Sequence, residues 1–266
     1  MSHETGAVVL KPHELYCLAS LMHVPHLVGV EDPFFGLLAD EAEQLLDDTV
    51  SGMIDNNILQ RRGNGNLALD SGVAVMVHAL GFAPRTLLVS LAAGSGPNEV
   101  LYIHWTQAFL VEQQGLPHDR VALSLLQDLE AVHDRVRDFV RLPSVPAGHW
   151  APDLYSDSAL LMAWRAVSRT PEVPATPIAA KGGGAVPEPL LEILSHAHVG
   201  SLVILHRAPE HMHYGASVAW VVGPEGGWRI ESAPIGEGVL RLTPAAADDI
   251  LQRLARIVAV LPESEG

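Results

Sequence analysis

Apolar positions recur at two different periods along this chain, and the changes of period divide it into elements. Leu15, Leu18, Leu21 and Met22 repeat every three to four residues behind Lys11-Pro12, which predicts a helix with proline in its first turn that stops at Pro25. Leu38, Leu45, Leu46, Val50, Met53 and Ile54 predict a second helix from about Phe35 to Asp55, closed by Asn56-Asn57. Ile58–Arg62, the turn Gly63-Asn-Gly-Asn66 and Leu67–Leu69 read as a short hairpin, because Asn-Gly tolerates the left-handed angles of a tight turn. Asp70 or Ser71 can cap a third helix running through Leu80.

From Arg85 the period shortens. Thr86–Ala92 reads as a buried strand, Gly94-Ser-Gly-Pro-Asn98 as a turn and Glu99–Gln107 as a second strand, with Phe109–Val111 as the start of a third. Ala122, Leu125, Leu126, Leu129, Val132, Val136 and Phe139 predict one long amphipathic helix from His118 to Arg141. A proline-broken segment, Leu142–Gly148, leads to a helical stretch from Ser156 to Ser168. Residues 170–189, with five prolines and Gly182-Gly-Gly184, read as a linker expected to be mobile. Beyond it the spacing predicts a helix over Pro189–His198 and strands over Ser201–Arg207, Tyr214–Val222, Trp228–Ser232 and Val239–Leu242. A terminal helix begins at Thr243-Pro244 and carries Ile250, Leu251, Leu254, Ile257, Val258 and Leu261 on one stripe.

Strands followed by a long helix therefore occur twice, over residues 1–143 and 156–266. The expected fold is α+β: a central, mostly antiparallel sheet covered by long helices. Two pseudo-repeated halves build one compact domain, with a winged-helix-like segment at the N-terminal end.

Charge changes the picture of the partners. The chain has 266 residues with 16 basic and 31 acidic side chains, a net charge of −15 with histidine neutral. Such a surface repels phosphate backbones and anionic membranes. The helix preceding the hairpin, Ala39–Asp48, is acidic where a DNA-reading winged helix is basic. Nucleic acid and membrane are therefore excluded as expected partners. No apolar run approaches the roughly 20 residues that span a bilayer, and no secretory signal is legible, so the cytoplasm is the expected compartment. Cys17, the sole cysteine, excludes an internal disulfide and falls on or beside the first helix's apolar stripe.

Candidate chemistry is thin. His196, His198, His206, His211 and His213 cluster in sequence, and a His-x-His pair on a strand suits zinc or copper, yet only Glu210 lies near them as an acid. The glycine-rich stretches lack the helix and Gly-Lys context of a phosphate cradle, and no Gly-x-Ser-x-Gly elbow occurs. Asp47-Asp48 and Asp248-Asp249 are adjacent on helices and cannot converge on one bond. No catalytic constellation remains, and no cofactor is expected. What remains is binding, for which Gly94, Ser95, Gly96, Pro97, Asn98, Tyr102, Trp105 and Tyr214 supply mobile backbone and aromatic surface. Trp220 is expected in the core.

The opening helix Leu10-Lys-Pro-His-Glu-Leu15, the helix and hairpin ending Asn64-Gly-Asn-Leu-Ala-Leu-Asp70, the break Leu142-Pro-Ser-Val-Pro146 and the closing Trp228-Arg-Ile and Leu242-Thr-Pro-Ala-Ala-Ala-Asp248 come in an order that resembles the EspG-type cytosolic chaperones of type VII (ESX) secretion. The resemblance lies in architecture and runs through nearly the whole chain. It implies a quasi-two-fold fold around a central sheet and a non-enzymatic chaperone or adaptor that binds a helical PE–PPE-type secretion substrate. A winged-helix regulator sensing a small ligand and a metal-dependent hydrolase are the alternative readings, and a homodimer stays open.

Overall fold

The computed structural model describes residues 7–63, 65–93, 98–149, 153–156, 198–207, 212–232 and 239–262. The expected linker at 170–189, the expected helix at 156–168 beyond its first residue, and most of that at 189–198 lie outside them.

The N-terminal part carries strand β1 (Val8–Leu10), helices α1 (Pro12–Leu21) and α2 (Ala39–Asp55), the hairpin β2 (Leu59–Arg61) and β3 (Leu67–Leu69), and α3 (Ser71–Phe82). A four-strand meander follows: β4 (Arg85–Ala93), β5 (Glu99–Trp105), β6 (Leu110–Leu116) and β7 (Arg120–Leu126), leading into α4 (Leu129–Val140). After β8 (Asp153–Ser156) comes a second meander, β9 (His198–Arg207), β10 (Met212–Gly223), β11 (Gly226–Ser232) and β12 (Val239–Pro244), leading into α5 (Ala247–Ala259).

Local chemistry sets where the helices start. The first-turn acid of α1, α2 and α5 folds back on the backbone N–H that precedes the helix. Lys11 N donates to Glu14 at 2.7 Å, Leu38 N to Glu41 at 2.9 Å and Ala246 N to Asp249 at 3.2 Å. Asp70 accepts from Gly72 N and Val73 N to start α3, and Asp128 accepts from Ala131 N to start α4. Just past the end of α5, the buried Arg85 of β4 donates to Leu261 O at 2.6 Å and so satisfies a backbone carbonyl of the buried Leu261.

Ten strands form one sheet in the order β1-β7-β6-β5-β4-β9-β10-β11-β12-β8, while β2 and β3 pair separately. Every pairing between named strands in the large sheet is antiparallel, as expected. The β4–β9 pair joins the two meanders in continuous register from Arg85↔His206 to Ala93↔His198. Outward from that pair both sides read alike: a meander of four, then an edge strand drawn from earlier in the chain.

Strand alternation splits the core into two layers. On one face Leu87, Val89, Leu101, Ile103, Leu202, Ile204, Val218 and Trp220 share a buried cluster with Val132, Val136 and Phe139 of α4 and Ile250, Leu254, Ile257 and Val258 of α5. On the other face Val111, Val121 and Leu123 pack with Leu15 and Leu18 of α1, Met53 of α2 and Val77 and Leu80 of α3. Cys17 is buried in this second cluster.

Four expectations about elements are corrected. The long helix over His118–Arg141 is a strand, β7, followed by the shorter α4. His118 and Asp119 hold left-handed angles (φ 62 and 51) that turn β6 back into β7, where Val121, Leu123 and Leu125 alternate as a strand requires. Leu125, Leu126 and Leu129 satisfy either period, which is why the helix stripe looked continuous. The second helix begins at Ala39, not at Phe35, because Asp32 and Pro33 put a turn there and Phe34 N donates to Asp32 Oδ1 at 2.9 Å. Ser156 ends a strand paired with β12 where a helix start was expected. His198 opens β9 where a helix end was expected, because pairing with Ala93 and Val222 holds it extended.

Candidate protein-binding site

The expected binding residues are distributed by the pleat of the sheet. Residues 94–97 lie outside the described residues; Asn98, next to them at the β4–β5 turn, is exposed. Trp105 stands at the opposite end of β5, seven residues on, roughly 24 Å away at strand rise. Tyr102 and Trp105 also point to opposite faces, since Trp105 follows Leu101 and Ile103 on the α4/α5 side. Tyr214 pairs with Leu205 on the face that carries Tyr102, but β5 and β10 are separated by β4 and β9, a span of roughly 14 Å. One contiguous patch of these residues does not form.

Tyr102 belongs to a buried polar layer. Its ring lies against Gly29, whose positive φ (71) and missing side chain let the loop close over the sheet; a Cβ there would meet the ring. Gln113 Nε2 donates to Gly29 O at 3.1 Å, and Gln113 Oε1 faces His104 Nε2 at 2.8 Å. His104 Nδ1 in turn lies 3.0 Å from Thr86 Oγ1. The network assigns the proton to Nε2, so that Thr86 donates its hydroxyl to Nδ1. His104 is fully buried, and its pKa is pushed down to about 4. Burial is the main cause and the Arg207 charge adds to it, while the Gln113 hydrogen bond works the other way. Burial raises the Tyr102 phenol as well. This layer ties the loop after α1 to the sheet and holds a neutral imidazole.

The histidines do not converge. His196 and His211 lie outside the described residues, and His198 and His206 sit at opposite ends of β9. His206 and His213 face each other across β9 and β10. Among the described residues no three His, Cys, Asp or Glu side chains gather where they could hold a metal ion.

Among the described residues, apolar surface is exposed at three places that concern a partner, besides single side chains such as Leu21 and Phe82. Tyr214 is 82% exposed, on a stretch of β10 whose register with β9 shifts between Tyr214 and Ser217. Phe35 is 89% and Leu38 65% exposed on the segment before α2. The third is a groove of about 730 Å³ between the β5–β6 turn and the β7–α4 junction, lined by Trp105, Phe109, Leu126 and Leu129 among others. Sequence reasoning singled out Trp105 and Tyr214 but took Phe35 for a helix start and Phe109 for a strand start. Asp32-Pro33 ahead of Phe34 and Thr106 ahead of Phe109 are the turn signals that lift each ring out of a packed element.

No protein-family model and no curated protein matches this chain. Among solved structures, the type VII secretion system chaperone EspG5 of Mycobacterium tuberculosis, in complex with the PE25–PPE41 dimer, matches with a TM-score of 0.61. Identity is 11%, and the match covers 98% of this chain and 99% of that one. At that identity the likeness is one of fold, and it spans both chains end to end.

Proposed function

We propose that this protein is a non-enzymatic, cytosolic chaperone or adaptor that binds a helical PE–PPE-type secretion substrate. The single observation that supports the reading is the end-to-end fold likeness to EspG5, a chaperone whose structure contains a PE25–PPE41 dimer. Several features agree with it. The strand order reads alike outward from β4–β9, in keeping with two pseudo-repeated halves. No helix among the described residues is long and apolar enough to cross a membrane. Exposed apolar groups, Tyr214 above all, give a surface that another protein can cover. The net charge of −15 favours a protein partner over nucleic acid.

The test is co-expression of the full chain with a paired helical PE–PPE-type protein from the same source, followed by size exclusion with light scattering. A stable complex is expected, and Tyr214→Glu should weaken it at least tenfold, since an exposed side chain can change charge without unfolding the sheet. Elution of chain and helical pair as separate species would sink the reading.

A further inference from the structure

The groove beside Trp105 has a counterpart in the other half of the sheet, and there it is filled. The correspondence follows from register. Leu110 pairs with Leu126, two residues before the cap Asp128 of α4; Trp228 pairs with Pro244, two residues before the cap Ala246 of α5. At the second position the chain's own segment 145–148 lies between the β10–β11 turn and the start of α5. Gly227 N donates to Pro146 O at 3.0 Å, Gly148 N to Gly227 O at 2.9 Å and Ala247 N to Val145 O at 3.2 Å. Leu142 and Val145 pack on the core cluster, and Gly148 lies so close to the Trp228 indole that a Cβ would collide with it. The fold thus has two clefts at corresponding strand-to-helix junctions, one occupied by an extended, proline-containing piece of chain that is held there by backbone hydrogen bonds to Gly227.

We infer that the open cleft, at Trp105, Phe109, Leu110, Leu126, Asp128 and Leu129, receives an extended proline-containing segment of a partner protein with a basic residue at its flank. Two observations select that occupant. Phe109 has its backbone tied to Thr106, whose N–H donates to Phe109 O at 2.9 Å while its hydroxyl accepts from Phe109 N at 2.8 Å. The cleft therefore offers aromatic and aliphatic surface without a free ladder position on that strand. A polyproline-like segment needs no such ladder, because its backbone is solvated and its rings dock on aromatic walls. Charge selects the flank: Asp128 and Glu130 are the charged residues lining the cleft, both are exposed, and no cation lines it. A sequence of this composition occurs in the chain itself, Arg141 preceding Leu142-Pro-Ser-Val-Pro-Ala-Gly148, with Arg141 there capping α4 and only residues 145–148 seated in the filled cleft. The inference goes beyond the chaperone reading and does not rest on it, since the cleft lies at the far end of β5 from Asn98 and its test contains no helical partner.

The probe is a fluorescent peptide of residues 141–148, Arg-Leu-Pro-Ser-Val-Pro-Ala-Gly, titrated with the full chain and read by anisotropy. Saturable binding is expected. Phe109→Glu in the protein, or Glu in place of the peptide's Arg, should weaken it at least tenfold, and Phe35→Glu should leave it unchanged. Near-ultraviolet circular dichroism checks the fold of Phe109→Glu, and Ala108→Glu replaces it if that variant misfolds. No saturation up to on the order of 1 mM protein overturns the inference. So does binding indifferent to both cleft substitutions, which would place the peptide in the already occupied cleft. Self-association of the wild type that Phe109→Glu abolishes would assign the cleft to a second copy and overturn it equally.

Discussion

His104 has both ring nitrogens committed, one to Thr86 and one to Gln113, and no exposed surface through which water could reach a charged ring. Its pKa of about 4 in the folded chain lies below the 6.5 of an unperturbed imidazole, so the unfolded chain binds the extra proton between those values. Stability from this residue is full above about pH 6.5, falls as pH drops, and is lost once pH passes below about 4. The expected loss is about 3 kcal/mol. Urea unfolding between pH 7 and 4 measures it, and in a His104→Gln variant this part of the pH dependence should vanish. A wild-type curve that matches the variant at every pH would show that the ring is not held neutral.

Gly81, in the last turn of α3, marks where the helix meets Val24 of the segment after α1. A Cβ there would overlap Val24 Cγ1 and crowd His26 O, so the helix is seated as closely as a glycine permits. The contact matters because α3 lies on the same face as the His104 layer, and Val28 N donates to Leu80 O at 3.4 Å beside it. Gly81→Ala should cost about 1–3 kcal/mol through overpacking, despite alanine's better helix propensity. A lower urea midpoint with an unchanged slope is the expected readout. A neutral or stabilising result would mean that the loop yields and that α3 is not fixed by this contact. The sequence located α3 well, because Asp70 caps it and its end coincides with Ala83-Pro84; how tightly it sits is set by a residue 57 positions away.

At the scale of the whole molecule, charge and burial act together. Protonating all 14 histidines would take the chain from −15 to −1; with His104 held neutral by burial the remaining 13 take it to −2. Solubility should therefore fall steeply between pH 7 and pH 5, and light scattering against pH at fixed concentration checks it. Scattering that stays flat through this range would mean that surface composition, not net charge, keeps the molecules apart.

The antiparallel α+β plan, the meander strands other than β7 and the acidic, cysteine-poor composition follow from the sequence by itself, because alternation, capping residues and charge are local properties. Trp220 and Cys17 could be placed in the core for the same reason. What needed tertiary structure was everything set by pairing at a distance. Short edge strands such as β1, three residues long, carry too few positions for a period to appear and exist only because β7 offers a partner. The boundary between β7 and α4 fell inside a stripe that suits either period, and pairing with β6 decided it. The candidate binding residues were legible as types, but the faces they occupy were not. Tyr102 lies under its loop, Tyr214 is in the open and Trp105 lines a cleft, and the residues beside each in sequence do not fix these outcomes. Only the β4–β9 junction and the layers packed on each side determine which of the three a partner can touch.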